Sequence, residues 1–150
     1  MNERDDERYL RRTLELAARA EAQGDVPIGA VLVSGDLIVE TCNEKELRPD
    51  ATAHAEMLAL REATAQLGVW RLADATLYIS KEPCVMCAGA ILAARVKRVV
   101  YGAPDPKGGA DGGAFDLLRS PLTNHRIDIT AGVLEEEAAE QLRRFFRARR

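Results

Sequence analysis

The sequence predicts an α/β fold in one domain over residues 1–150, a mixed sheet of about five strands with helices on both faces. Three observations carry this expectation. Helical and strand-like stretches alternate along the chain, with no internal repeat, low-complexity tract or linker to divide it. Between Thr76 and Tyr101 a strand-like run, a helix opened by Pro83 and a second strand-like run follow one another, the order of a parallel crossover. Upstream, a helix leads into a hairpin, which adds antiparallel pairing. A length of 150 residues with 47% hydrophobic composition suits one full core.

The elements follow from local chemistry. Leu10, Leu14, Ala17 and Ala18 form an apolar stripe on a first helix from about Asp5 to Gly24. Val26 to Val33 reads as a strand, Ser34-Gly35-Asp36 as a tight turn and Leu37 to Thr41 as the antiparallel partner. Thr52 is a suitable N-cap for a helix over Ala53 to Gln66, with Gly68 past its end. Thr76 to Ser80 is rich in strand formers, Pro83 opens a helix through Cys84 to Ala94, and Val96 to Tyr101 is the next strand. Gly102 to Gly113 holds five glycines and two prolines and reads as a loop. A short strand over Ile127 to Thr130 and a helix over Leu134 to Arg149 complete the chain.

Composition narrows the class of function. Met1 to Arg12 is almost wholly polar and no run of about 18 apolar residues occurs, so a soluble, cytoplasmic protein without membrane contact is expected. The odd count of three cysteines, two of them in C-x-x-C spacing, favours a metal or redox role in a reducing compartment over a disulfide framework. A net charge of −3 gives no global basic field, so a nucleic-acid partner would have to be held by a local patch.

The chemistry-bearing segments are His54-Ala55-Glu56 and Pro83-Cys84-Val85-Met86-Cys87. Cys84 and Cys87 fall in the first turn of a helix, so their sulfurs share a face, and the helix N-terminus favours the thiolate form that binds zinc. His54 opens another helix and supplies a third ligand. Three protein ligands leave a tetrahedral position for water, as in catalytic zinc sites. Glu56, two residues on, does not share the histidine's face and is better placed to reach that water than to be a ligand. A zinc ion with two thiolates is formally neutral, which makes its water less acidic and a nearby carboxylate useful as a base. Alone, the C-x-x-C would equally fit a redox pair or half of a structural zinc site. The two segments together form the pattern of zinc-dependent nucleobase deaminases.

Beyond this pair, Thr52–Glu56 and Glu82–Ala90 closely resemble the bacterial tRNA adenosine deaminase family, within the wider cytidine deaminase-like superfamily. The likeness extends to Val26–Val31, Ala75–Tyr78, Arg98–Ala103, Asn124–Arg126, Gly132–Leu134 and Phe145–Arg147. It implies a three-layer α/β/α sandwich, a homodimer, one Zn2+ per subunit, and the wobble adenosine (position 34) of a tRNA anticodon loop as substrate, with no DNA partner. It also implies a cycle in which a zinc-activated water attacks C6 of adenine while Glu56 moves its proton to N1 and later protonates the departing amino group, giving inosine and ammonia.

By the same resemblance Asn43, Val26, Ile28 and Ala55 contact the flipped nucleoside, Asp105 the ribose and Lys107 a phosphate, while Phe145 and Arg147 meet the anticodon loop. Each has a plainer reading. Asn43 can simply end a strand, Val26 and Ile28 can be core on one face of a strand, and residues 105–107 can be a solvated turn. Cys42 can be a fourth ligand but reads more simply as a small buried apolar residue, and His125 reads as a polar contact, not a ligand. The last helix opens with Glu135, Glu136 and Glu137 and closes with Arg143, Arg144, Arg147, Arg149 and Arg150, a polarity that suits the helix dipole and also offers cations to RNA.

The chain departs from the family pattern at Pro104, where Arg is usual in enterobacterial members, at Lys81 for Leu, at Ala51 for Pro, and at Asp111-Gly112-Gly113 for Ala-Gly-Ser. An extra carboxylate at Asp111 would oppose RNA if exposed. Two other readings stay open at this point: a free-base deaminase acting on guanine or cytosine, and a non-catalytic protein with structural zinc or a redox C-x-x-C.

Overall fold

The computed structural model describes residues 2–149 and contains one five-stranded sheet in the order β2-β1-β3-β4-β5. The chain runs α1 (Glu3–Ala22), β1 (Gly29–Ser34), β2 (Leu37–Cys42), α2 (Ala55–Leu67), β3 (Thr76–Lys81), α3 (Val85–Ala93), β4 (Arg98–Ala103), β5 (Asp128–Ala131) and α4 (Glu135–Arg147). The hairpin β1–β2 and the pair β1–β3 are antiparallel, whereas β3–β4 and β4–β5 are parallel. Gly35 at φ 59° supplies the left-handed turn of the hairpin.

The sheet is covered on both sides. Ala30, Leu32, Leu77, Ile79, Val99 and Tyr101 face a core completed by Ala59 and Ala63 of α2 and Ile91 of α3. The alternate residues Val31, Val33, Tyr78 and Val100 face a second core with Leu10, Leu16 and Ala20 of α1. Burial on both faces explains why the inner strands read as nearly continuous apolar runs. At Gly29 a Cβ would lie 2.1 Å from the Thr13 carbonyl oxygen, so α1 packs directly on the start of β1.

A buried ion pair ties α1 across the sheet. Arg98 donates to both Asp6 oxygens at 2.7 and 2.6 Å, and also to Thr130 Oγ1 at 2.9 Å. The Tyr78 hydroxyl donates to Asp6 at 3.1 Å. The Arg98 guanidinium holds the Asp6 carboxyl below its ordinary pKa.

Several boundaries differ from the sequence reading, each for a local reason. Val26 and Ile28 precede β1 instead of lying in it. The Val26 N–H is taken by Asp25 Oδ1 at 2.8 Å, Ile28 N–H turns back to the Val26 carbonyl at 2.9 Å, and Pro27 has no N–H for a ladder. Thr52 does not cap α2, because its N–H and hydroxyl both bind Asp50 Oδ1, at 2.9 and 2.8 Å. His54 and Cys84 take the N-cap positions of α2 and α3, so each helix starts two residues later than expected, at Ala55 and Val85. β4 extends to Ala103, so the glycine-rich loop begins at Pro104. Arg150, counted among the closing arginines, lies outside the described residues.

Candidate metal centre

The N-termini of α2 and α3 converge at the ends of β1 and β3, and the converging residues carry the donors. His54 Nδ1 lies 3.6 Å from Cys84 Sγ and 3.5 Å from Cys87 Sγ, and all three donor atoms are within 4.8 Å of one another. A tetrahedral zinc site, with Zn–S near 2.3 Å and Zn–N near 2.0–2.1 Å, requires a nitrogen-to-sulfur edge of roughly 3.6 Å. The trio therefore fits a metal ion without rearrangement.

The electrostatics agree with a donor set. Hydrogen bonding from the Cys87 thiol, and next from His54, lowers the Cys84 thiol to about 3, whereas donation to Cys84 and burial push Cys87 up. The hydrogen bond to Cys84 raises His54. One sulfur is thus a ready thiolate at neutral pH, and the second proton is what a cation would displace.

Glu56 stands beside the trio at 3% exposure, and its Oε1 is buried with no hydrogen-bond partner among the described residues. Burial raises its pKa. An unpartnered buried carboxyl oxygen is costly unless something comes to meet it, which is the situation of a group awaiting a substrate or water. Asn43, 1% exposed, reaches the same helix end: its Oδ1 accepts the Ala55 N–H at 2.8 Å and so caps α2 from outside. Thr41 Oγ1 donates to the Ala55 carbonyl at 2.7 Å. Ala55 and Ile28 are buried in one core cluster, with Val26 packed against it. Cys42 is 6% exposed, belongs to the α1-side core and is not part of the donor group. His125 hydrogen-bonds the Val96 carbonyl at 2.7 Å, well away in the chain from the donors.

The loop after β4 borders this centre. Ala110 N–H donates to the Pro83 carbonyl at 2.8 Å, and Gly109 bridges Cys84. Asp105 is committed inside the loop: Lys81 pairs with it at 2.9 Å, and its Oδ1 accepts the N–H groups of Lys107 at 3.1 Å and Gly108 at 3.2 Å. The departure at Lys81 is thereby explained. Lys107 is exposed. Asp111 is not the surface charge expected, since its side chain is 0% exposed and held by Arg119 through two bonds at 2.7 and 2.6 Å, with a third at 2.7 Å from the Tyr101 hydroxyl. Nothing in the structure explains the departures at Ala51 and Pro104.

Across a groove of about 860 Å³ from this loop runs α4, with Lys81, Lys107, Leu142, Phe146 and Arg147 among the lining residues. Phe145 is 5% exposed, because Ala138, Leu142 and Phe145 form the inward stripe of the helix; Phe146, at 51%, is the ring that faces solvent. Arg147 binds Glu140 at 2.8 Å and Arg143 binds the same residue at 2.9 Å, so part of the terminal positive charge is already neutralised.

The sequence reading did not single out Glu82. It is 2% exposed and accepts three backbone N–H groups of the loop, from Asp105, Asp111 and Gly113. The available signal was a carboxylate two residues before Cys84, followed downstream by a glycine-rich loop able to approach it.

The sequence model of the MafB19-like deaminase family matches residues 4–150. A tRNA-specific adenosine deaminase of Bacillus subtilis is 49% identical over 143 residues, 95% of this chain and 89% of that protein. The chain belongs to the tRNA-specific adenosine deaminase family. A solved structure from a study of A-to-I editing by tRNA:A34 deaminases at the wobble position of transfer RNA superposes with TM-score 0.84 at 42% identity, covering 90% of this chain and 99% of that one. A guanine deaminase from Nitrosomonas europaea superposes with TM-score 0.80 at 28% identity, over 93% and 83% of the two chains. The three-layer α/β/α architecture with a mixed sheet is thus the fold of this deaminase family.

Proposed function

We infer that the protein hydrolytically deaminates adenosine to inosine at the wobble position, 34, of a tRNA anticodon loop. The observation that carries the reading is the unpartnered Glu56 oxygen beside the converged His54, Cys84 and Cys87 donors, in a chain of this family. The donor chemistry, one imidazole and two thiols of which one ionises readily, favours zinc over hard cations. Zinc held by these residues would supply Lewis acidity that brings a water within reach of deprotonation near neutral pH.

Glu56 takes the proton of the attacking water and delivers it to N1 of the adenine as oxygen adds at C6. The same carboxylate then takes the remaining proton of the added oxygen and passes it to the departing amino group, so that the C6 carbonyl forms, ammonia leaves and inosine remains. Burial of Glu56 keeps bulk water from competing for these transfers. Asn43 and Ala55, with Val26 and Ile28 behind them, form the wall against which the base would lie. Asp105 and Lys107 stand on the loop that would meet the flanking nucleotides, and Phe146, with Phe145 buried beneath it, and Arg147 stand on the facing helix. The proposal includes one zinc per subunit, a homodimer and action in the cytoplasm, each supported by family membership. Among the described residues no helix is long and apolar enough to cross a membrane.

The test is incubation of purified protein with an anticodon stem-loop bearing wobble adenosine and, separately, with adenosine, guanine and cytosine. Inosine formed from the RNA alone is the expected result. The likeness to a guanine deaminase makes guanine the informative control, and turnover of a free base with none on RNA overturns the reading.

A further inference from the structure

We propose that Glu82 is a positioning residue that clamps the Asp105–Gly113 loop onto the metal-binding segment and so sets how that loop is presented to RNA. The catalytic part of its test rests on the deaminase reading above. Glu82 Oε1 accepts the Asp105 N–H at 2.9 Å, and Oε2 accepts those of Asp111 at 2.8 Å and Gly113 at 3.0 Å. The start and end of the loop are therefore fixed by opposite oxygens of one buried carboxylate.

The loop is built to come this close. A Cβ at Gly109 would lie 2.3 Å from Glu82 Cδ, and one at Gly113 would lie 2.9 Å from Oε2 and 2.1 Å from the Asp105 carbonyl oxygen. On the other side, Glu82 N–H is bonded to the Ala103 carbonyl at 2.8 Å, and the next two residues, Pro83 and Cys84, receive Ala110 and Gly109. One short segment thus carries both a metal ligand and the anchor of the loop. Lys107 is presented outward because Asp105, fixed through its own N–H by Glu82, turns the chain by accepting the Lys107 and Gly108 amides.

Only a carboxylate offers two acceptor oxygens and no donor. Glutamine has the same shape, but its NH2 group would confront a backbone N–H at one end of the loop. Aspartate is a methylene too short to reach both ends.

The experiment compares wild type, Glu82→Gln, Gly113→Ala and the double variant by steady-state kinetics on the anticodon stem-loop, bound-metal analysis and amide hydrogen exchange. Expected for Glu82→Gln are full metal content, kcat within about threefold and KM raised about tenfold or more, from the loss of at least one bond to a charged acceptor. Exchange at Asp105, Asp111 and Gly113 should accelerate together. Gly113→Ala, which displaces the loop while leaving the carboxylate intact, should raise KM similarly, and the double variant should do little more than either single.

An unchanged KM, loss of metal, or additive effects in the double variant overturns the proposal. Should Glu82→Gln fail to fold, Gly113→Ala decides alone by the split between KM and kcat. If wild type does not deaminate the stem-loop, the functional reading fails instead, and the exchange of the three amides still decides whether Glu82 clamps the loop.

Discussion

Glu56→Ala removes a buried carboxyl that is not counted among the metal donors, and the structure sets separate expectations for activity, metal and stability. A positioned proton shuttle contributes about 10²–10⁴ in rate, or roughly 2.7–5.5 kcal/mol of transition-state stabilisation. Because one carboxyl acts first as base and then as acid, the loss should approach the upper end. Stability should move little. Deleting a buried oxygen that has no partner recovers about 1–3 kcal/mol of desolvation cost, while the space left behind costs about 1–2 kcal/mol in lost contacts. The two nearly cancel, so unfolding free energy should stay within about 1 kcal/mol of wild type. Metal content should be unchanged. Single-turnover kinetics on the stem-loop, elemental analysis and urea unfolding check the three expectations. Loss of metal together with activity would make Glu56 a ligand; activity within tenfold of wild type would remove it from the reaction; destabilisation beyond about 3 kcal/mol would mean that the oxygen is satisfied after all.

Cys84→Ser should abolish stoichiometric zinc and turnover together, since a serine hydroxyl stays protonated where the thiol ionises readily; retained metal by elemental analysis would take Cys84 out of the site. Asp6→Asn should cost about 3 kcal/mol at pH 7 by urea unfolding, because Asp6 and Arg98 side chains are 7% and 21% exposed and the arginine would lose its counter-charge. Asp6 has its folded pKa lowered by Arg98, so the unfolded chain binds the extra proton first; the advantage of wild type should be full above about pH 5 and shrink as pH falls below about 4. A difference that grows on acidification would refute that assignment. Lys107→Ala and Arg144→Ala should each lower the salt dependence of RNA binding by about 0.7 in log–log slope if each releases one counterion, more than Arg143→Ala or Arg147→Ala, whose guanidiniums are paired with Glu140. Equal slopes for all four would assign the terminal charges to helix balance.

The legible part of the fold was whatever depends on periodicity and on the chemistry of one residue. The apolar runs Ala30–Val33 and Leu77–Ile79, the turn at Gly35 and the parallel crossover through α3 all follow from patterns local to the chain. The donors were legible because His and Cys in that spacing have few other uses. Exact element starts were not, because they are set by partners distant in sequence: Asn43 caps α2 at Ala55, and Asp50 takes the Thr52 hydroxyl that would have been the cap. The roles of Glu82 and Asp111 were hidden for the same reason. A carboxylate reads as surface charge until the chain brings three amides to one, or Arg119 and Tyr101 to the other. The final helix shows the limit of composition most clearly, since Phe145 and Phe146 are indistinguishable as letters and only the register with Ala138 decides which is buried.

The placement of His54 and Cys84 at N-caps has an energetic meaning that links the fold to the chemistry. Among the described residues neither side chain makes a cap hydrogen bond, although serine, threonine, aspartate or asparagine there would contribute about 1 kcal/mol to each helix. Asn43 recovers part of this for α2 from a neighbouring segment, leaving the imidazole free to turn toward the sulfurs. Two helix N-termini then direct partial positive charge at one point, which adds to the hydrogen bonds from Cys87 and His54 in favouring a thiolate at Cys84 against its burial. A conventional cap at either position would stabilise its helix and remove a ligand. Cys84→Asn should accordingly lose the metal yet unfold at the same or higher urea concentration than a metal-stripped wild type, and a lower midpoint would show that Cys84 is held for packing instead.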